Sequence, residues 1–261
     1  MFSVRKHATL GATILGSLLA LLWATSIQAQ VTQDFHRTVP LSANGRVSLD
    51  NINGNVEITG WDRNEVQIDA VKKARDQQRL DEARIEVNAG RDSVEIKTRY
   101  PEGLLSTNNN PASVHYQLHV PQNARLDRIN LVNGSLTVQK VGGEVIANLV
   151  NGKLRVDDLA GRADLSTVNG GIEANYAALK NVREIKLNSV NGSIELGLPD
   201  SPNAQVKAST VSGGIRSDFP LEVHGGFVGK NLTGTLGSGG TSIALSNVNG
   251  SIHIGRGRGS L

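Results

Sequence analysis

The chain of 261 residues contains no cysteine. Disulfides are therefore excluded, and stability must come from packing and backbone hydrogen bonds. Aromatic residues make up only 3% of the chain, too few for a glycan groove walled by stacked rings. Proline is scarce at 7 while glycine reaches 29, a balance that suits many turns within ordered β structure and not disorder. An excess of one charge is also missing. There are 27 Lys and Arg against 24 Asp and Glu, and leaving out Arg5 and Lys6 brings the net to +1. Nothing in that balance argues for a nucleic-acid partner.

The first thirty residues differ in kind from the rest. Arg5, Lys6 and His7 open the chain, an apolar run from Ala8 to Ala24 follows, and Thr25 to Gln30 is small and polar. That order is the layout of a secretory signal peptide over residues 1–29, with cleavage expected near Ala29. The alternative is an uncleaved anchor, since seventeen apolar residues lie at the lower edge of spanning length. No Cys follows the run and Arg5-Lys6 is not a twin-arginine pair. A general export route is expected, to the periplasm or the cell surface, with no transmembrane segment after cleavage.

Residues 30–121 read as a β-rich portion with one interruption. Val47 and Leu49, Val56 and Ile58, and Val66, Ile68 and Ala70 alternate with polar neighbours, the period of a half-buried strand. Val71 to Ala83 loses that period and is rich in helix formers, predicting a short surface helix near 74–83. Alternation resumes at Ile85, Val87 and Ala89, turns at Arg91-Asp92-Ser93, and returns through Val94, Ile96 and Thr98. A polar loop from Pro101 to Pro111 carries Asn108, Asn109 and Asn110, and a last strand ends at Pro121.

Residues 122–254 are organised by a returning phrase of apolar, Asn, Gly, any, apolar, any, usually apolar. It reads Val132-Asn133-Gly134-Ser135-Leu136-Thr137-Val138 and then Val150-Asn151-Gly152-Lys153-Leu154-Arg155-Val156. The Asn position, with Ser or Thr variants, recurs at Asn133, Asn151, Asn169, Asn191, Ser212, Thr233 and Asn249. An early copy at Asn53 stands apart. Spacing in this range is the signature of a repeat architecture.

Asn-Gly is also a strong hairpin signal. A two-residue hairpin would, however, expose the constant apolar residue before Asn and bury the mixed residue before that. The facing argument therefore favours a chain that continues past each Asn-Gly with a bend. Val150, Leu154 and Val156 would then face inward, and Lys153 and Arg155 outward. Each copy becomes one coil of an all-β, single-stranded parallel β-solenoid, with rungs about 4.8 Å apart. Asn and Gly accept positive φ at a corner, and stacked Asn side chains can bond as a ladder. Residues 255–261, Gly- and Arg-rich, are expected to form a flexible tail.

No enzyme constellation emerges. Carbohydrate-cleaving chemistry needs clustered carboxylates, and Asp157-Asp158 is an isolated pair. His36, His224 and His253 lack metal-ligand spacing, and His115 and His119, four apart on one face of a strand, lie far apart along it, so no metal, cofactor or catalytic residue is assigned. Trp61, in Gly60-Trp61-Asp62, is the one candidate for ligand stacking, against an anchoring role in its turn. The Asn-x-Ser/Thr triplets follow from the repeat itself and are not read as glycosylation sites.

Several of these segments together resemble a bacterial family known as putative adhesins, β-strand-repeat proteins of unknown function. The residues that carry the resemblance are Gly60-Trp61-Asp62, Thr98-Arg99-Tyr100-Pro101, the Tyr116–Pro121 strand and the serial Val-Asn-Gly copies. The resemblance implies a single-stranded β-helix in an envelope protein and supplies no catalytic residues. Many relatives carry an acidic residue after Asn-Gly, where this chain has Ser135, Lys153, Gly171, Ser193, Gly214 and Ser251. The sequence thus leads to an exported, non-enzymatic adhesin-like scaffold presenting a polar face to an envelope protein or glycan. A polysaccharide-active β-helix enzyme and an element that self-associates end to end are the alternatives.

Overall fold

The computed structural model describes residues 30–101, 111–225 and 229–257. The segment 1–29 expected to be a signal peptide, Asn108 to Asn110 and Arg258 onward lie outside the described residues. Two large mixed sheets, of ten and eleven strands, enclose one continuous apolar core. No described helix is long and apolar enough to cross a membrane.

The repeats build the middle of both sheets. Each gives a longer strand to one sheet, turns at Asn-Gly, and gives a shorter strand to the other. Val145–Asn151 is followed in this way by Leu154–Asp157, and Ala163–Asn169 by Ile172–Asn175. Adjacent rungs pair in parallel with equivalent residues in register, Asn133 beside Asn151 and Asn151 beside Asn169. The Asn53 copy, isolated in the sequence, is a full rung: Arg46–Asn53 pairs with Arg125–Asn133, and Val56–Trp61 with Leu136–Gln139.

Two expectations about the stack change. A wholly parallel solenoid does not form, because antiparallel strands close both ends. At one end Glu65–Ala74 pairs antiparallel with both Val31–Pro40 and Ser113–Pro121, and Arg84–Ala89 pairs antiparallel with Ser93–Arg99. At the other, Lys230–Leu236 lies antiparallel between Ala204–Ser212 and Val223–Gly225. Thr233 therefore sits within an antiparallel strand and turns no corner. The rungs are also out of sequence order. Thr241–Asn249 slips between Glu184–Asn191 and Ala204–Ser212, pairing in parallel with each. The stretch from Pro199 to Asn203 carries the chain past the vacant position that this last repeat fills.

The largest correction concerns facing. In Val145–Asn151 the inward residues are Val145, Ala147 and Leu149, so Val150 points out. After the corner Leu154 and Val156 are fully buried, as the alternation predicts. Parity cannot be carried through Asn-Gly, because the corner passes the chain from one sheet to the other and restarts the count. The constant apolar residue is outside, and the mixed residue before it is inside. Except for the Asn247 Oδ1, which is buried without a partner, that arrangement is satisfied chemically: hydroxyls of Thr167, Ser189 and Thr210 donate to the carbonyls of Gly152, Gly170 and Gly250 in neighbouring rungs. The Asn247 amide donates likewise to Gly192 O, at 2.6 Å. A buried small polar residue with a bond partner costs little.

The corner glycines have a steric cause. A Cβ on Gly134, Gly152, Gly170, Gly192 or Gly250 would overlap the backbone carbonyl of the equivalent glycine one rung away. None of the corner Asn residues has positive φ; Lys140 and Asp158, at the next corner of their rungs, are the described non-glycine residues that do. Elsewhere the expected helix occupies Gln77–Glu82, capped by the Asp76 carboxylate accepting from Arg79 N at 2.8 Å. The last strand, Ile252–Arg256, runs into the segment expected to be tail.

Candidate interaction surface

Because rungs stack in register, the outward residue before each Asn forms a row. Val132, Val150, Val168, Val190 and Val248 are each 39–42% exposed, and Val211 is 56% exposed. In spatial order the ridge runs Val132, Val150, Val168, Val190, Val248, Val211, one valine per rung at about 4.8 Å. Each valine is half covered by its neighbours along the row, as equivalent side chains in adjacent strands pack together.

Amides border the ridge on both sides. On the corner side each Asn donates Nδ2–H to the Oδ1 of the next: Asn133 to Asn53, Asn151 to Asn133, Asn169 to Asn151, Asn191 to Asn169 and Asn249 to Asn191. All five bonds are 2.8–2.9 Å. Ser212 takes the next place beside Asn249. Each amide spends one donor and one acceptor in this ladder, leaving its second N–H and a lone pair for solvent or a partner. On the other side runs a looser row, with Asn130 donating to Asp50 at 2.8 Å and Asn148 to Asn130 at 3.3 Å. Between ridge and row lies a shallow groove of about 510 Å³, and none of its fourteen lining residues is charged.

The outer face of the other sheet is different in kind. Arg155, Asp157, Glu173, Glu195 and His253 stand there in adjacent rungs. Asp157 is held by Arg155 at 2.7 Å and by Asn175 Nδ2 at 2.8 Å. Glu173 is shared by Lys153 and Arg155. Asp218 bonds His253 at 3.1 Å, which holds its carboxyl below the usual range. Among the described residues no group of three or more His, Asp or Glu could hold a metal ion.

The remaining singled-out residues occupy structural positions. Trp61 Nε1 donates to Glu65 O at 2.9 Å, the Arg63 guanidinium lies 4.8 Å from its ring centre, and the His119 ring 5.1 Å away. Those contacts close the turn from Trp61 to Glu65. His115 Nδ1 accepts from Asn55 N, with burial lowering its pKa, and His36 pairs with Asp69. The valine ridge was missed in the sequence for one reason: its constancy was read as burial. The signal was present in the residue before it, which drifts through Leu, Thr, Ser and Asn as interior hydrogen bonding permits.

The sequence profile of a family described as Toastrack DUF4097 matches residues 145–255. No curated protein matches the chain in sequence. Among solved structures, a putative cell adhesion protein from Clostridium sporogenes aligns over 87% of this chain and 100% of its own. The TM-score is 0.52 and the identity 15%, a likeness of fold. A putative lipid binding protein from Parabacteroides distasonis aligns over 85% and 96%, at 16% identity and TM-score 0.34. A putative adhesin from Bacteroides fragilis aligns over 86% and 97%, at 13% identity and TM-score 0.33.

Proposed function

We propose that this chain is an exported, non-enzymatic envelope scaffold of the adhesin-like, Toastrack kind, and that the valine ridge with its amide borders is its binding face. The observation that carries this reading is the row of six exposed valines in register. An apolar row repeated over six stacked rungs of a largely polar surface marks an interaction site more often than chance exposure. The stacked repeats beneath it fix every valine to the backbone of the parallel stretch of a mixed sheet, so the face is rigid before it meets anything. Export rests on the leader-like residues 1–29, and the periplasm or cell surface is the compartment that follows. The face differs from the polar surface the sequence suggested: its centre is aliphatic, and hydrogen-bonding amides frame it.

A photo-crosslinking side chain placed at Val150, and separately at Glu195 on the opposite face, tests the assignment in living cells. Discrete adducts from position 150 and none from 195 are expected; equal labelling of the two faces would sink it. The enzymatic alternative is tested by incubating purified protein with envelope and plant polysaccharides and measuring new reducing ends. Reproducible cleavage would overturn the non-enzymatic reading. Fractionation of a tagged chain tests export, which a cytosolic location would refute.

A further inference from the structure

The ridge restricts what can cover it. Its knobs rise in fixed steps of about 4.8 Å, and a surface of fixed period stays in register over its whole length only with another of the same period. We propose that the ridge is a homotypic contact, in which a second copy of this chain packs valine row against valine row. This rests on the reading of that face as the binding face and names its partner.

The chemistry of the face permits self-pairing. The groove lining has no charged side chain, so the face meets itself without like-charge repulsion. Beyond the amide row the same face carries charge, with Asp164, Lys186 and Lys207 pointing outward and Arg162 bridging Glu144 and Glu184. A two-fold axis along the stack, passing over the ridge, reverses the strands and sends the charged part of each copy's face outward to solvent. It also places each Asn ladder over the Asn130–Asn148 row of the other copy, amide against amide. Each valine then faces its own equivalent, the self-complementary contact that two-fold symmetry requires.

The face is small. Six rungs span roughly 25 Å, and the ridge with its borders is about five residues wide, roughly 17 Å. That footprint falls short of the ~800 Å² per partner of a standard stable interface. The dimer is therefore weak and reversible, and is populated where copies are crowded.

Sedimentation equilibrium of the exported chain, from low micromolar to millimolar, provides the test. A reversible dimer is expected for the natural chain and for Glu195→Gln. Val168→Asp, with unchanged circular dichroism and melting lowered by no more than a few degrees, should associate at least ~10-fold more weakly, because pairing would bury its carboxylate. Since the chain has no cysteine, single Val132→Cys, Val168→Cys and Val248→Cys variants can be treated with a short bis-maleimide. The facing sheets are about 10 Å apart, within reach of that linker. All three should give covalent dimers; linkage at 168 alone would overturn the symmetry. A chain that stays monomeric throughout, or a dimer indifferent to Val168→Asp, would overturn the proposal. Binding of a fluorescent fatty acid to a monomer, lost in Val168→Asp, would replace the second copy with an aliphatic chain. In that last outcome the ridge is still the binding face, whereas loss of the face-specific crosslink at Val150 would remove the ridge itself.

Discussion

Val150 and Val156 stand on either side of one corner, six residues apart, and the same side chain serves opposite purposes in the two places. Val156 lines the interior with Leu154, Ala174 and Leu196, and has no exposed surface. Val150 stands in the outer ridge with two fifths of its surface in water. The comparison teaches that constancy of an apolar residue in a repeat measures the regularity of its surroundings, and those can be inside or outside. The interior tolerates Leu, Thr, Ser and Asn before the corner because a glycine carbonyl from the next rung waits for the polar ones. The ridge has only itself to pack against, and keeps valine.

The sharpest way to break the comparison is one substitution made in both places. Val156→Asp should abolish the cooperative fold, because a lone carboxylate would be buried. Val150→Asp should leave the fold intact and cost about 1 kcal/mol or less, a shift of a few degrees in melting temperature. Circular dichroism melts of the pair decide it, and equal damage would show that the ridge is interior.

Glycine gives the next largest contrast. Gly170→Ala drives a methyl into the Gly152 carbonyl, backbone against backbone with no rotamer to relieve it, and should cost about 1–3 kcal/mol. Gly214→Ala has nothing within 4 Å and should be silent. Urea titrations that ranked the two alike would refute a steric origin for the corner glycine.

A smaller effect is expected from the amide ladder. Asn169→Ala removes one bond to Asn151 and one from Asn191, and should cost about 0.5–1.5 kcal/mol. Slowed amide exchange in the natural chain relative to the variant, at residues 169–171, would report it; identical exchange would make the ladder ornamental.

The weakest contrast lies on the charged face. Asp218 is stabilised as a carboxylate by His253, so its folded pKa is below its unfolded value of about 3.8. Its contribution to stability is present above that value and is lost as pH falls through the folded pKa. Carbon-detected titration of Asp218 should give a midpoint below the ordinary carboxylate range, and His253→Gln should raise it. An unchanged midpoint would place the cause elsewhere. The ridge, without titratable groups, should show no such limb.

Much of the architecture was legible in the chain. The alternation of Val47, Leu49, Val56 and Ile58, and of Leu136 and Val138, located strands, because a pleated chain repeats every two residues. The helix formers between Val71 and Ala83 located the helix near 74–83, though the element begins at Gln77, behind a cap at Asp76 that only the structure shows. The Asn-Gly copies located the corners, and their amides do bond from rung to rung. The valine ridge was not legible in the same way. Strand periodicity is a local rule, and it fails at a corner, where the next residue belongs to a different sheet.

What the sequence by itself determined is local: an all-β chain without disulfides, cut into rungs of similar length by Asn-Gly. The tertiary structure decided the rest, because the deciding contacts join residues far apart in the chain. It placed the Thr241–Arg256 repeat inside the stack, which only the pairing of Asn249 with both Asn191 and Ser212 reveals. It brought the isolated Asn53 copy into register with Asn133, eighty residues on. And it turned six scattered valines into one ridge, since a row across rungs exists only once the rungs are stacked.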